Sequence, residues 1–399
     1  MHTESKLTNG KIDYLDGMRG IAAVFVIFSH CFLWFAPQMH TGIDLHGLKE
    51  KLIFNSPFTF FFKGGSAVTL FFVLSGYVLA KSCMPSNNPS EYILCAAKRR
   101  YIRLGIPVFA SIVISYLLTQ MGAFRAESLG SYSALSHKYV EQLPFIHFIF
   151  DSLIGGMIYG NGEFNYVLWT INIEFFGSLF VYATMAVFYN YMKSLRVCSI
   201  SAAILLMTSQ TDFIVYQSMF FYGCFLATFK INEVNSNKYA LFAPAIMMFI
   251  GLYLQGFSAF SWRSISYSFL VDITNGINKL IGRDFLWNII IPSVGSIFII
   301  SCISINANIF KWLSKKVFRF YGRISFSLYL LHSFVLAIVA PWIYMLSGNG
   351  LLSAAIASLV VLTITTLVSI PFFKYIDRGA IRISKKIIPS SPKQQLESG

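Results

Sequence analysis

Nine stretches of this chain are apolar for long enough to cross roughly 30 Å of hydrocarbon, and this limits the fold more than any other feature. They lie near residues 18–36, 66–82, 102–120, 166–188, 213–230, 239–256, 286–305, 324–346 and 351–373, with a shorter tenth near 197–208. Inside a bilayer every backbone N–H and C=O needs a partner from the chain itself, which uninterrupted apolar runs of this length meet as helices. The expected fold is therefore all-α, a polytopic membrane bundle of about ten transmembrane helices. Pro144–Gly160 is either an eleventh span or a re-entrant segment. A composition of 56% hydrophobic and 12% charged residues, with mean hydropathy +0.63, fits no soluble class.

The first run is too weakly punctuated for a cleaved signal peptide. Trp34, Phe35 and Pro37 follow it where small residues would mark a cleavage site. The six cysteines have no CxxC or Cys/His ligand spacing, so they read as packing residues and no metal site is expected.

The net charge of +14 raises the question of a nucleic-acid partner, but its distribution argues otherwise. With ten spans, the termini and alternate loops on one side carry 23 Lys/Arg and the other side carries 8. That is the asymmetry of cytoplasmic loops, so both termini are expected in the cytoplasm, with membrane lipid and not nucleic acid as the charged surroundings. The segments 37–65, 121–165 and 257–285 are then extracytoplasmic, each too short for a domain of its own. Within 121–165, Tyr132, His137, Tyr139, His147 and Tyr159 precede GGMIYGNG and leave open a solvated loop or a lid that folds back. Residues 1–388 form one transmembrane domain on this reading, and the Pro/Ser-rich 389–399 a disordered cytoplasmic tail.

Ionisable side chains at membrane depth are costly and mark functional positions. Here they are Arg19, His30, Arg103, Glu174 and His332. Arg19 and His30 are eleven residues apart, which brings them to one helix face with a rise of roughly 16 Å. If each helix starts at its membrane boundary, His30, Glu174 and His332 share a layer that Ser75 joins. Such a layer could hold a histidine polarised by a carboxylate, the arrangement a general base requires. Each residue alone is equally at home as a hydrogen-bonded packing group. Lys98, Arg99, Arg100 and Arg103 in AAKRRYIRLGIP either hold phosphates or only set the topology. No Walker loop, GxGxxG, zinc motif or GxSxG is present, which argues against ATP-driven, dinucleotide-dependent and hydrolase chemistry.

Five separated segments resemble the acyltransferase-3 family of integral membrane acyltransferases, which includes O-antigen and exopolysaccharide O-acetylases. YLDGMRG with Arg19-x10-His30 is similar to the family's first-helix signature, GGSAVTLFFVLSGYVLA to its second-helix motif, and KRRYIRLGIP to its basic motif. YVLWTINIEFF, with Trp169 and Glu174, resembles its Trp-and-Glu motif. YGRISFSLYLLH, with Arg323, Ser325, Ser327, Tyr329 and His332, resembles its late Ser/Tyr/His motif. The order and spacing fit across residues 12–385. YIDRGAIRISKK departs from the pattern, with Asp377 and Gly379 where the family typically carries Glu-Arg-Pro.

The resemblance implies an acyl-CoA donor, acetyl-CoA foremost, used as substrate with no bound cofactor. The acceptor would be a hydroxyl of a glycan or lipid-linked saccharide on the extracytoplasmic side. Arg19, Lys98, Arg99, Arg100 and Arg103 would meet the CoA phosphates. His30 would act as base or carry the acyl group, and Glu174 would orient it. Ser75, Tyr329 or His332 would donate to the oxyanion, while Trp169, Arg323 and Ser325 would line the substrate groove. The expected location is the inner (cytoplasmic) membrane. Any acyl handover would need a separate extracytoplasmic partner, because no esterase-like domain is expected in this chain. Other readings are acylation of a lipid or small-molecule acceptor, a proton- or ion-coupled transporter using the His30/Glu174 layer, or a non-catalytic scaffold.

Overall fold

The computed structural model describes residues 13–45, 47–84, 89–125, 133, 144–229, 242–305 and 307–389, and among these every regular element is helical. In chain order the helices are α1 (Asp13–Phe35), α2 (Gly64–Cys83), α3 (Pro89–Gln120) and α4 (Phe145–Phe150), the last continued by a π-helical segment, Asp151–Tyr159. There follow α5 (Trp169–Phe188), α6 (Met192–Met207), α7 (Asp212–Ala227), α8 (Phe242–Gln255), α9 (Ser268–Ile281) and α10 (Trp287–Ile305). The chain closes with α11 (Lys316–Ser347), α12 (Leu351–Phe372), a π-helical segment Phe373–Asp377, and α13 (Arg378–Ile387).

All ten expected runs are helices, and six helical stretches are long and apolar enough to cross a membrane. The chain is a multi-pass membrane protein. Tyr132, His137, Tyr139 and all of the expected tail except Pro389 lie outside the described residues. Two helices begin well before their apolar runs. α3 starts at Pro89, so Lys98–Arg103 sit on its third and fourth turns, and α11 starts at Lys316, so Arg323 is two turns inside it.

α1 and α11 form the central pair. A Cβ at Gly20 would stand 2.7 Å from the backbone nitrogen of Gly322, and one at Gly322 would overlap the Asp16 carbonyl. The absence of side chains on both glycines lets the two backbones touch, the usual way helices associate in lipid. Ten residues beyond Gly20 stands His30, and ten beyond Gly322 stands His332, whose rings also meet. The two helices are therefore parallel.

Parallel packing requires an odd number of membrane crossings between α1 and α11. The ten apolar runs meet this requirement, because α2, α3, α5, α6, α7, α8 and α10 lie between the pair as seven crossings when α4 and α9 do not cross. The contacts of α4 agree. Its Phe148 stacks on Tyr116 of α3 with ring centroids 4.4 Å apart, while the carbonyl of Leu153 accepts from the Tyr101 hydroxyl at 2.8 Å. The segment 145–159 thus runs back along α3 as the descending arm of a re-entrant hairpin. It turns at Gly160, whose φ of 70° favours glycine.

An alanine at Gly322 forces α1 and α11 apart, whereas Gly379, with open space around its Cα, accepts one freely. Gly322→Ala is expected to lower stability by about 1–3 kcal/mol. Gly379→Ala should be neutral or slightly stabilising through helix propensity. Thermal unfolding of both variants in one detergent checks this.

Candidate active site

The rings of His30 and His332 lie 6° from coplanar, with His30 Nδ1 2.7 Å from His332 Nε2. The other nitrogen of His332, Nδ1, stands 2.8 Å from the carbonyl oxygen of Tyr329 and 3.2 Å from that of Leu328. His332 is wholly buried, while His30 is not fully buried and meets the Tyr166 ring edge-on at 5.2 Å. The sequence motif and the spacing along α1 and α11 pointed to both histidines, and the structure brings them into direct contact.

Glu174 does not join them. It pairs with Arg100 of α3 in a short charge-assisted hydrogen bond, and Arg19 lies within electrostatic range of both. The reason is one of depth. The chain enters α5 from the re-entrant hairpin, so Tyr166 is already beside His30, and Glu174 stands roughly 12 Å further toward the basic end of the bundle. The expectation that Glu174 orients His30 is replaced by an ion pair at the level of Arg19.

Ser75 is displaced for the same reason. α2 begins at the level of Ser29, whose Oγ accepts from the Gly64 amide at 2.8 Å, and it runs antiparallel to α1 with Tyr77 near Tyr14. Eleven residues beyond Gly64, Ser75 is roughly 16 Å from the histidine layer. Tyr329 is near His332, but its hydroxyl donates to the Val167 carbonyl at 3.2 Å and accepts from Thr170 at 2.8 Å. His332 faces backbone carbonyls and a histidine nitrogen. Of the three expected oxyanion donors, Ser75 is too deep, and Tyr329 and His332 are already engaged.

The basic motif divides. Arg100 is buried in the bundle, while Arg103, three residues on along the same side of α3, is solvent-exposed with Arg19, Tyr182 and Asp377 within electrostatic range. The π-helical turn after α12 places Asp377, the departure from the family pattern, within this cluster. Arg99 instead donates to the Ile388 carbonyl at 2.7 Å and fastens the end of α13, while Lys98 is exposed. Arg323 is exposed on the face of α11 opposite His332, nine residues and half a turn in phase away. Ser325 bonds its own helix at the Gly322 carbonyl, and Trp169 is exposed beside Tyr216.

Several polar residues escaped the sequence reading. Asn165 is fully buried, receives a hydrogen bond from Ser333 at 3.1 Å and donates to the Leu330 carbonyl at 3.0 Å, which bolts the start of α5 to α11. Its place just before an apolar run is the N-cap signal that could have found it. Lys63, immediately before α2, is buried and donates to the His40 carbonyl at 2.9 Å and to Ser258 at 3.2 Å, with the Phe54 and Phe62 rings over its ammonium. Burial pushes it down to about 7 from an ordinary 10.5. His40, whose Nε2 is 3.2 Å from the Ser29 carbonyl, is pushed down to about 3, first by burial and then by Lys63.

Residues 12–374 match the acyltransferase domain Acyl_transf_3, which covers nearly the whole chain and defines an integral membrane acyltransferase. The chain belongs to the acyltransferase-3 family. It is similar to the O-acetyltransferase PaAT-1 of Phomopsis amygdali, with 21% identity over 443 residues that cover 96% of this chain and 86% of the relative. No solved structure matches it.

Breaking the Arg100–Glu174 pair leaves a largely buried charge unmatched. Arg100→Gln and Glu174→Gln should each lower stability by about 2 kcal/mol, and the double variant by less than their sum. A double-mutant cycle by thermal unfolding checks this. For Lys63, the unfolded chain keeps the proton that the folded site sheds between pH about 7 and 10.5, so folded stability rises with pH through that window. The thermal midpoint of the wild type should climb relative to that of Lys63→Met between those values.

Proposed function

We propose that this acyltransferase moves an acetyl group from acetyl-CoA, bound at the basic end, to a hydroxyl of an extracytoplasmic or lipid-linked carbohydrate. The observation that carries the reading is the alignment of a partly buried histidine with a cationic cluster. His30 stands on the same face of α1 as Arg19, roughly 16 Å away, and Arg19 shares its level with Arg100 and Arg103. A CoA thioester has this layout, with phosphates at one end, a long neutral arm, and the reactive carbonyl at the other. The resemblance of the chain to an enzyme named an O-acetyltransferase supports both the acetyl group and the oxygen acceptor.

Arg19 and Arg103 would hold the phosphates by charge-assisted bonds. Arg100, neutralised in part by Glu174, would set the field of that end. His30 would take the proton of the acceptor hydroxyl as it attacks the thioester carbonyl. With the expected side-chain donors displaced or engaged, developing negative charge would be met by the N-termini of α2 and α5. Both helices begin at this level and direct the positive ends of their dipoles toward it. The charge asymmetry of the loops supports a cytoplasmic-membrane enzyme with both termini and the donor site in the cytoplasm.

Acetyl-CoA binding and thioester hydrolysis by the purified protein in detergent test this without knowledge of the acceptor. Arg19→Ala should weaken acetyl-CoA binding roughly tenfold, the loss of one or two charge-assisted bonds. His30→Ala should bind normally and release no CoA. If folded protein binds neither acetyl-CoA nor longer acyl-CoAs, the donor assignment is wrong.

A further inference from the structure

We propose that His332 is a positioning residue that locks His30 in the one tautomer able to act as base, with its lone pair on Nε2. The inference rests on the reading of His30 as the base, and its geometry is independent of that reading. A backbone carbonyl can only accept a hydrogen bond, so His332 Nδ1, facing the carbonyls of Tyr329 and Leu328, carries a proton. A neutral imidazole has one N–H, which leaves His332 Nε2 as an acceptor. The group 2.7 Å from it, His30 Nδ1, must then donate. The single proton of His30 is thereby assigned, and Nε2 is left unprotonated on a residue that is not fully buried.

Two features make the lock independent of other side chains. The anchoring carbonyls lie three and four residues before His332 in α11 itself, so the helix backbone sets the orientation. The glycine contact between α1 and α11 sets the distance between the rings. In serine-protease triads a carboxylate fixes the tautomer and also stabilises the imidazolium. Among the described residues neither ring has a carboxylate partner, and Glu174, the carboxylate expected beside them, pairs with Arg100. His332 therefore orients without adding negative charge.

The consequence for the reaction is a short-lived imidazolium. The acceptor oxygen forms its bond to the thioester carbonyl carbon as its proton passes to His30 Nε2. The carbon–sulfur bond then breaks, and the departing CoA sulfur takes that same proton. His30 returns to the neutral tautomer, with the acyl ester and free CoA thiol as products.

The test combines the tautomer with the kinetics. In wild-type protein labelled with ¹⁵N-histidine, the ¹⁵N NMR signals that disappear in His30→Ala should show a protonated Nδ1 and an unprotonated Nε2. In His332→Leu the same ring should shift toward the Nε2–H form. kcat should fall on the order of 100-fold or more with the dissociation constant of acetyl-CoA unchanged. His332→Gln, whose amide oxygen can accept from Nδ1–H, should recover about tenfold of that loss. A protonated Nε2 on His30 in the wild type, or full kcat in His332→Leu, overturns the proposal. The NMR result needs no folded His332 variant. Activity surviving in His30→Ala would instead sink the reading of His30 as base, so the two failures are told apart.

Discussion

The hydrocarbon around this bundle offers no hydrogen-bond partners, so polar groups at membrane depth are driven to find them within the chain. That constraint orders the structure. It selects helices, and it draws α1 and α11 together through Gly20 and Gly322, where backbones can approach without side chains between them. It also decides how each buried polar side chain is used. Arg100 is matched by Glu174, Lys63 by a carbonyl, a hydroxyl and two aromatic faces, and Asn165 by the backbone and side chain of α11. His332 satisfies both nitrogens inside the protein, whereas His30 has one nitrogen engaged and is not fully buried.

The helices and the chemistry-bearing residues were legible because apolar length and side-chain type are local properties. All ten apolar runs became helices, and the facing of Arg19 and His30 followed from spacing alone. Depth was not legible. Glu174 and Ser75 share the histidine layer only if α5 and α2 start at the membrane boundary, whereas both helices begin at the histidine layer itself. The segment 144–165 folds into the bundle ahead of α5, and 37–63 does the same ahead of α2, burying Met39, Phe62 and Phe164. Those segments are aromatic as well as polar, and whether such a stretch covers the bundle or leaves it depends on tertiary contacts that a linear pattern does not contain.

The same folding-in explains why the site is stratified. Cations occupy one level and imidazoles another, with mostly apolar side chains of α1, including Ala22, Ala23, Val26 and Ile27, between them. A layer of acids near His30 would have favoured its protonated form, and a layer of arginines there would have opposed it. Keeping Glu174 and the arginines roughly 12–16 Å away leaves few formal charges at the level of the histidine pair. Lys63 and His40 approach from the other side, and burial favours the uncharged form of each.

The distance from the glycine contact to the histidine pair acts as a lever arm. Ten residues of helix place the imidazoles about 15 Å beyond the point where α1 and α11 touch. A hydrogen bond weakens markedly over about 0.5 Å, so a tilt of only about 2° between the helices would open the bond joining the rings. The pair therefore tolerates only a narrow change in the angle between α1 and α11, which the glycine contact and the packing along both helices hold. The point where two backbones touch thereby sets the fine geometry of two rings that lie about three turns away from it.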